Sequence, residues 1–132
     1  MGTTNGIEVS PDERTLYVSE AVQRRVWAYD LSADGTISNK RLLVTFPDYG
    51  LDGMRCDVNG TLYITRFGKG TVALLSPAGE VLREIELTGK NCTNIAFGGP
   101  DGCICYVTVA DQGNLETFRT DQPGRSWRLF RE

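Results

Sequence analysis

The hydrophobic positions of this chain fall in short runs separated by Gly, Pro, Asn and Asp, not at the three-to-four-residue spacing of a helix face. Residues 5–20, NGIEVSPDERTLYVSE, set the pattern: a first strand, a Ser10-Pro11-Asp12 turn, and a second strand through Leu16-Tyr17-Val18-Ser19. The pattern recurs. Asp52-Gly53-Met54 leads to Leu62-Tyr63-Ile64-Thr65, and Thr93-Asn94-Ile95 leads to Cys105-Tyr106-Val107-Thr108, so Tyr17, Tyr63 and Tyr106 stand 46 and 43 residues apart. Nine residues after each tyrosine a third strand opens, at Val26-Trp27-Ala28-Tyr29, Val72-Ala73-Leu74-Leu75 and Leu115-Glu116-Thr117-Phe118.

Turn chemistry separates these runs in register. Ser10-Pro11-Asp12, Asn59-Gly60 and Gly99-Pro100-Asp101-Gly102 lie inside the first hairpins, and Asp34-Gly35, Ala78-Gly79 and Pro123-Gly124 follow the third strands. A fourth strand is expected over residues 40–46 and 80–87, with its third counterpart over residues 126–130. The chain therefore reads as all-β, and four strands per 43 to 47 residues is the repeat of a β-propeller blade. About three four-stranded blades are expected, with approximate bounds 5–51, 52–92 and 93–132. Propellers close with about four to eight blades, so three leave two sheet faces open to self-association.

Composition narrows the function without choosing it. With 132 residues, 40% hydrophobic and 23% charged, and a net charge of −3, the chain is ordinary globular material of one-domain length. Basic residues such as Arg24-Arg25 and Lys40-Arg41 are interspersed with acids, so nucleic acid is not an expected partner. Neither a membrane-length apolar run nor a signal-peptide pattern is present, and a cytoplasmic location is the default expectation. Cys56, Cys92, Cys103 and Cys105 lack zinc-ligand spacing and read as reduced thiols buried in strands. The absence of histidine excludes histidine-based serine and cysteine triads.

Equivalent repeat positions in a propeller are related by rotation about its central axis, which each unit's innermost strand lines. Asn5 and Asp52 are such a pair, each preceding a glycine at the mouth of a first strand, so their side-chain oxygens are expected to converge although 47 residues separate them. Thr93 is the third equivalent, with Asn94 in place of the glycine. Asn-Gly and Asp-Gly are also common type I′ turns, which is the competing reading of both pairs. Asp12, Asp57 and Asp101 recur in the first hairpins and read as carboxylates accepting from turn amides. Gly68-Lys69-Gly70-Thr71 reads as a hairpin turn, and Trp27, Tyr29, Leu75 and Phe118 as packing between blades. Glu20, at the end of a second strand, reads as solvent-facing or a loop contact.

NGIEVSPDERTLYVSE, LDGMRCDVNGTLYITRFGKGTV and NIAFGGPDGCICYVTVADQGNLETFRTDQPGRSW together resemble the C-terminal half of the gluconolactonase, senescence-marker-protein (regucalcin) and LRE-like family. The resemblance implies a six-bladed propeller about twice this length that hydrolyses sugar lactones with a divalent metal in its channel, of which this chain supplies the last three blades. It implies Asn5 and Asp52 as metal ligands, with Asp52 also the catalytic base toward the attacking water. Oxygen donors of this kind suit Ca²⁺ first, with Mg²⁺, Mn²⁺ or Zn²⁺ as alternatives. The family's other ligands, a glutamate near the start and an asparagine in the other half, have no counterpart here. The chain is accordingly expected to be a fragment or truncated form, completed by a second copy in a homodimer or by a missing N-terminal half. The alternative reading is a non-enzymatic propeller fragment or interaction module.

Overall fold

In the computed structural model, which describes residues 1–131, three antiparallel sheets follow one another along the chain. Glu132, the last residue of the third expected blade, lies outside the described residues. The first sheet is a meander of β1 (Thr4–Val9), β2 (Thr15–Glu20), β3 (Arg25–Leu31) and β4 (Ile37–Thr45). The second repeats it with β5 (Met54–Cys56), β6 (Leu62–Arg66), β7 (Thr71–Leu75) and β8 (Val81–Glu86). In the third, β9 (Cys92–Gly98), β10 (Ile104–Val109) and β11 (Asn114–Arg119) pair in the order β11-β10-β9.

The third unit corrects one expectation. The repeat predicts a fourth strand over residues 126–130, but Arg125–Leu129 forms a short helix, α1, so this sheet has three strands. Tertiary contacts outweigh local preference here. Val58 N–H donates to Pro123 O at 3.0 Å and Gly124 N–H to Gly102 O at 3.1 Å, drawing the segment off the sheet edge. Arg125 then reaches the first unit, its guanidinium 3.4 Å from Glu13 and 3.9 Å from Glu8. Arg131 lies over the Trp127 ring, 4.5 Å from its centroid.

Packing between sheets explains the strand patterns. Tyr17, Val26 and Ala28 of the first sheet meet Met54, Cys56, Ile64, Ala73 and Leu75 of the second, with Phe46 and Leu51 filling the junction. On the other face of the second sheet, Tyr63, Val72 and Leu74 meet Ile95, Cys105, Val107 and Val109. The middle sheet is thus covered on both sides, and β6 and β7 are buried at every position. That is why their sequences, LYITR and TVALL, lack the alternation of a half-buried strand. The edge of Tyr63 meets Phe97 with centroids 5.1 Å apart, a contact worth about 0.5–1.5 kcal/mol beyond its buried area.

The four cysteines are free and buried, as their sequence positions suggest. Asp12, Asp57 and Asp101 cap turns: their Oδ1 atoms accept from Arg14 N, Asn59 N and Cys103 N at 3.0, 2.9 and 3.0 Å. Gly68 and Gly70, with φ of 87° and 77°, make the β6–β7 hairpin turn. Leu75 and Phe118 do pack between sheets. Trp27 and Tyr29 do not, because in β3 they alternate with Val26 and Ala28 and face away from the second sheet. Glu20 is not solvent-facing: it is buried, accepting from Trp27 Nε1 at 2.7 Å and from Gly2 N. No described helix is long and apolar enough to cross a membrane.

Candidate functional site

The first strands β1, β5 and β9 lie side by side, so the residues at their mouths meet at one end of a shared groove. Each mouth carries a backbone irregularity of the same kind. Opposite β2 the register runs from Thr4↔Glu20 to Ile7↔Val18, which inserts one extra residue at Asn5-Gly6. At the second mouth Asp52 N–H donates to Thr65 O and Thr65 N–H to Gly53 O, both at 3.0 Å, so two residues oppose one. At the third, Asn94 pairs with Thr108 and Cys92 with Val109, leaving Thr93 as the extra residue. These are β-bulges, which bend a strand and re-aim a side chain.

The bulges resolve how the glycines should be read. A type I′ turn needs positive φ at both central residues, yet none of Asn5, Gly6, Asp52 and Gly53 has it. The glycines serve close approach instead. A Cβ on Gly6 would stand 2.6 Å from Asp52 O and 2.8 Å from Ser19 Oγ, and one on Gly53 would stand 2.3 Å from Asn94 Oδ1. Ser19 also bridges the first two sheets, accepting from Gly6 N–H at 2.8 Å and facing Asp52 O at 3.5 Å.

Asn5 and Asp52 come together across this junction. Burial pushes the Asp52 carboxyl above its ordinary range, and a hydrogen bond from the Asn5 side chain offsets part of that rise. No salt bridge to Asp52 is found among the described residues. A half-buried carboxylate with an amide beside it and no cation partner is a chemically apt cation ligand. Thr93 lines the same groove, but its hydroxyl lies 2.7 Å from Thr108 Oγ1 and is already engaged. Asn94 Oδ1 accepts from Ile95 N–H at 2.9 Å. Among the described residues no group of three or more His, Cys, Asp or Glu side chains forms a metal cluster.

Two cavities meet at this pair. One, of 550 Å³, runs along the groove between the first strands and reaches Arg55 and Thr108. The other, of 330 Å³, opens toward the loops and is walled by Val22, Tyr49 and Phe67, with Arg24 at its side. Arg24 Nε donates to Phe46 O at 3.1 Å, which ties that cation to the loop before Tyr49. The site therefore offers two hard oxygen donors beside an apolar wall, with the guanidinium groups of Arg24 and Arg55 at its margins. The repeat in the sequence singles out Asn5 and Asp52 but not Arg24, Tyr49 and Phe67, because the repeat positions of Arg24 and Phe67 are held by other residue types in the other units, Gly70 and Gly113 for Arg24 and Ala21 and Ala110 for Phe67.

Thiols are not available to this site. Burial pushes Cys56 and Cys105 up to about 12 and Cys92 up to about 11, leaving them protonated and inert at neutral pH. Oxygen ligation is what the groove can provide.

A family model described as SMP-30/Gluconolactonase/LRE-like region matches residues 1–111. The chain is 34% identical over 125 residues to a protein named regucalcin from Xenopus laevis, covering 91% of this chain and 42% of that protein. It is 32% identical over 123 residues to a 6-deoxy-6-sulfogluconolactonase from Pseudomonas putida, covering 91% of this chain and 42% of that enzyme. The crystal structure of a calcium-binding protein, regucalcin, from Agrobacterium tumefaciens superposes with a TM-score of 0.79 at 27% identity, covering 92% of this chain and 46% of that one. The chain thus spans less than half the length of these relatives.

Proposed function

The chain belongs to the SMP-30/gluconolactonase/LRE-like family, and from that membership we propose that it supplies half of a six-bladed ring that hydrolyses a sugar lactone, with Asn5 and Asp52 as ligands to a divalent cation. The observation carrying this reading is the repeated bulge. It turns two hard oxygen donors from different blades toward one point, beside a cavity with an apolar wall. The donor set fits a hard cation, Ca²⁺ ahead of Mg²⁺ or Mn²⁺, and fits Zn²⁺ least because no thiol or imidazole is at hand. Bound there, the cation would polarise the lactone carbonyl and acidify a water.

The protein's own groups supply the rest. Asp52, its carboxyl raised by burial, accepts a proton from the water that attacks the ring carbonyl. Asn5 stands beside that carboxylate and favours its charged form. Val22, Tyr49 and Phe67 exclude water from one side, and Arg24 provides positive charge for the carboxylate that ring opening leaves. The other three blades, with further ligands, come from an N-terminal half or from a second copy related by a two-fold axis along the channel. A binding module without turnover is the second reading, favoured by the lack of a third strong ligand among the described residues.

Calcium and turnover separate the two. With millimolar Ca²⁺ the melting temperature of the chain should rise, since a ligand that binds only the folded state stabilises it. Asp52→Ala should abolish that rise and any hydrolysis of gluconolactone followed by acid release. An unchanged turnover in this variant would refute the role of Asp52, and a calcium response without turnover would leave the binding module.

A further inference from the structure

At the far end of β1 from Asn5, a cavity of 360 Å³ opens between the first hairpins of the first two sheets. The equivalent space between the second and third sheets shows what a filled version holds. There Tyr63 meets Phe97 edge-on and stacks on Phe118 with centroids 6.5 Å apart, and its hydroxyl donates to Asp57 Oδ2 at 3.4 Å. Tyr17 is the same residue one blade earlier. The places of Phe97 and Phe118 are taken by Cys56 and Leu75, which are far smaller.

The hydroxyl partner is missing too. Ser10 stands where Asp57 stands, but its hydroxyl donates to Asp12 Oδ1 at 2.6 Å and accepts from Thr15 N–H at 3.0 Å. Tyr17 is only 4% exposed, lines the cavity, and makes no hydrogen bond to another described residue. Its hydroxyl is not closed off from the cavity, so it is solvent or a ligand atom entering there, and not another side chain, that can partner it. Pro11, Leu43 and Pro77 give the cavity flat apolar walls, while Asp12, Arg41 and Asn59 stand at its polar rim.

We propose that this cavity binds a polyhydroxylated molecule of sugar size. Its volume falls in the range of small-molecule sites, about 300–1,000 Å³. The rim decides the chemistry. Arg41 already pairs with Asp30 at 2.9 Å, and Asp12 is a committed anion, so the rim has no surplus positive charge for an anionic ligand. A purely apolar ligand would leave Tyr17 unsatisfied. Hydroxyl groups both donate and accept, so one molecule can give to Asp12, take from Tyr17 and Arg41, and use both ends of the Asn59 amide. The C–H face of a sugar ring lies well against proline.

The site does not depend on the Asn5–Asp52 reading, and its test keeps the two apart. Amide chemical shifts of the full chain, recorded in a chelator, should move saturably on titration with D-glucose, the largest changes being at Tyr17, Leu43 and Asn59. Arg41→Ala, an exposed change that leaves the fold intact, should weaken binding about tenfold, and Tyr17→Phe should do likewise. Ala28→Leu, which adds bulk to a residue that lines the cavity, should abolish it, while Asp52→Asn should leave it unchanged. No saturable shift up to about 100 mM glucose would overturn the proposal, as would an unaltered midpoint in Arg41→Ala and Tyr17→Phe.

Discussion

At the residue scale, Gly6 and Asp57 show how much hangs on atoms absent or buried. Gly6 has ordinary φ, so alanine there meets no backbone penalty, only the collision with Asp52 O and Ser19 Oγ. Gly6→Ala should cost about 1–3 kcal/mol in urea unfolding and weaken calcium stabilisation, because it pushes the first two mouths apart. Asp57 is buried at 3% exposure, and desolvation raises its carboxyl above the ordinary range although Asn59 N–H, Thr61 N–H and the Tyr63 hydroxyl donate to it. A carboxyl whose value is raised by folding stabilises the folded state fully at pH below its unfolded value and ceases to as pH rises through its folded one. Asp57→Asn, which keeps the turn acceptor, should therefore melt higher than the parent at neutral pH, the gap closing below about pH 4. Asp57→Ala, which also removes the turn acceptor, should melt lower than Asp57→Asn by the equivalent of about 1–2 kcal/mol at every pH.

At the scale of elements, Arg66 ties β6 to the loop that walls the site. Its guanidinium is 1% exposed, 2.9 Å from Asp48 Oδ1 and 3.3 Å from Glu84 Oε1, with its centre 4.1 Å from the Phe46 ring centroid. Burial opposes ionisation of Glu84, yet hydrogen bonds from Lys69 and Thr71 hold its carboxyl below the ordinary range. Arg66→Met should cost about 3 kcal/mol in chemical denaturation and loosen residues 46–50, read as faster amide exchange at Tyr49 and Gly50. The strands themselves were legible in the sequence, because short apolar runs between Gly- and Pro-rich turns mark a strand whether one face or both are buried. Residues 126–130 were not. Their apolar pattern suits an edge strand, and only the pairing of Val58 with Pro123 and of Asp57 with Gly124 diverts them into a helix.

At the scale of the whole molecule, the middle sheet is covered on both faces and the outer two on one each. The outward faces carry large apolar side chains, with Ile7 58%, Leu42 50% and Leu115 61% exposed. Such faces drive association. Light scattering on the purified chain should report species larger than a monomer, and Leu42→Lys should shift them toward monomer. A strictly monomeric chain would exclude completion of the ring by a second copy and leave the N-terminal half as its source.

The sequence by itself determined the repeat, the four-strand order of the first two units and the equivalence of Asn5 with Asp52, because rotational equivalence is written as spacing. Tertiary structure alone decided what the adjoining glycines do. Whether a glycine turns the chain or makes room for a neighbour depends on what stands against its α-carbon, and for Gly6 that is a carbonyl 46 residues away in the chain. Tertiary structure likewise decided that Tyr17 faces a cavity where Tyr63 faces two rings, since packing volume belongs to the pair of blades and not to either one.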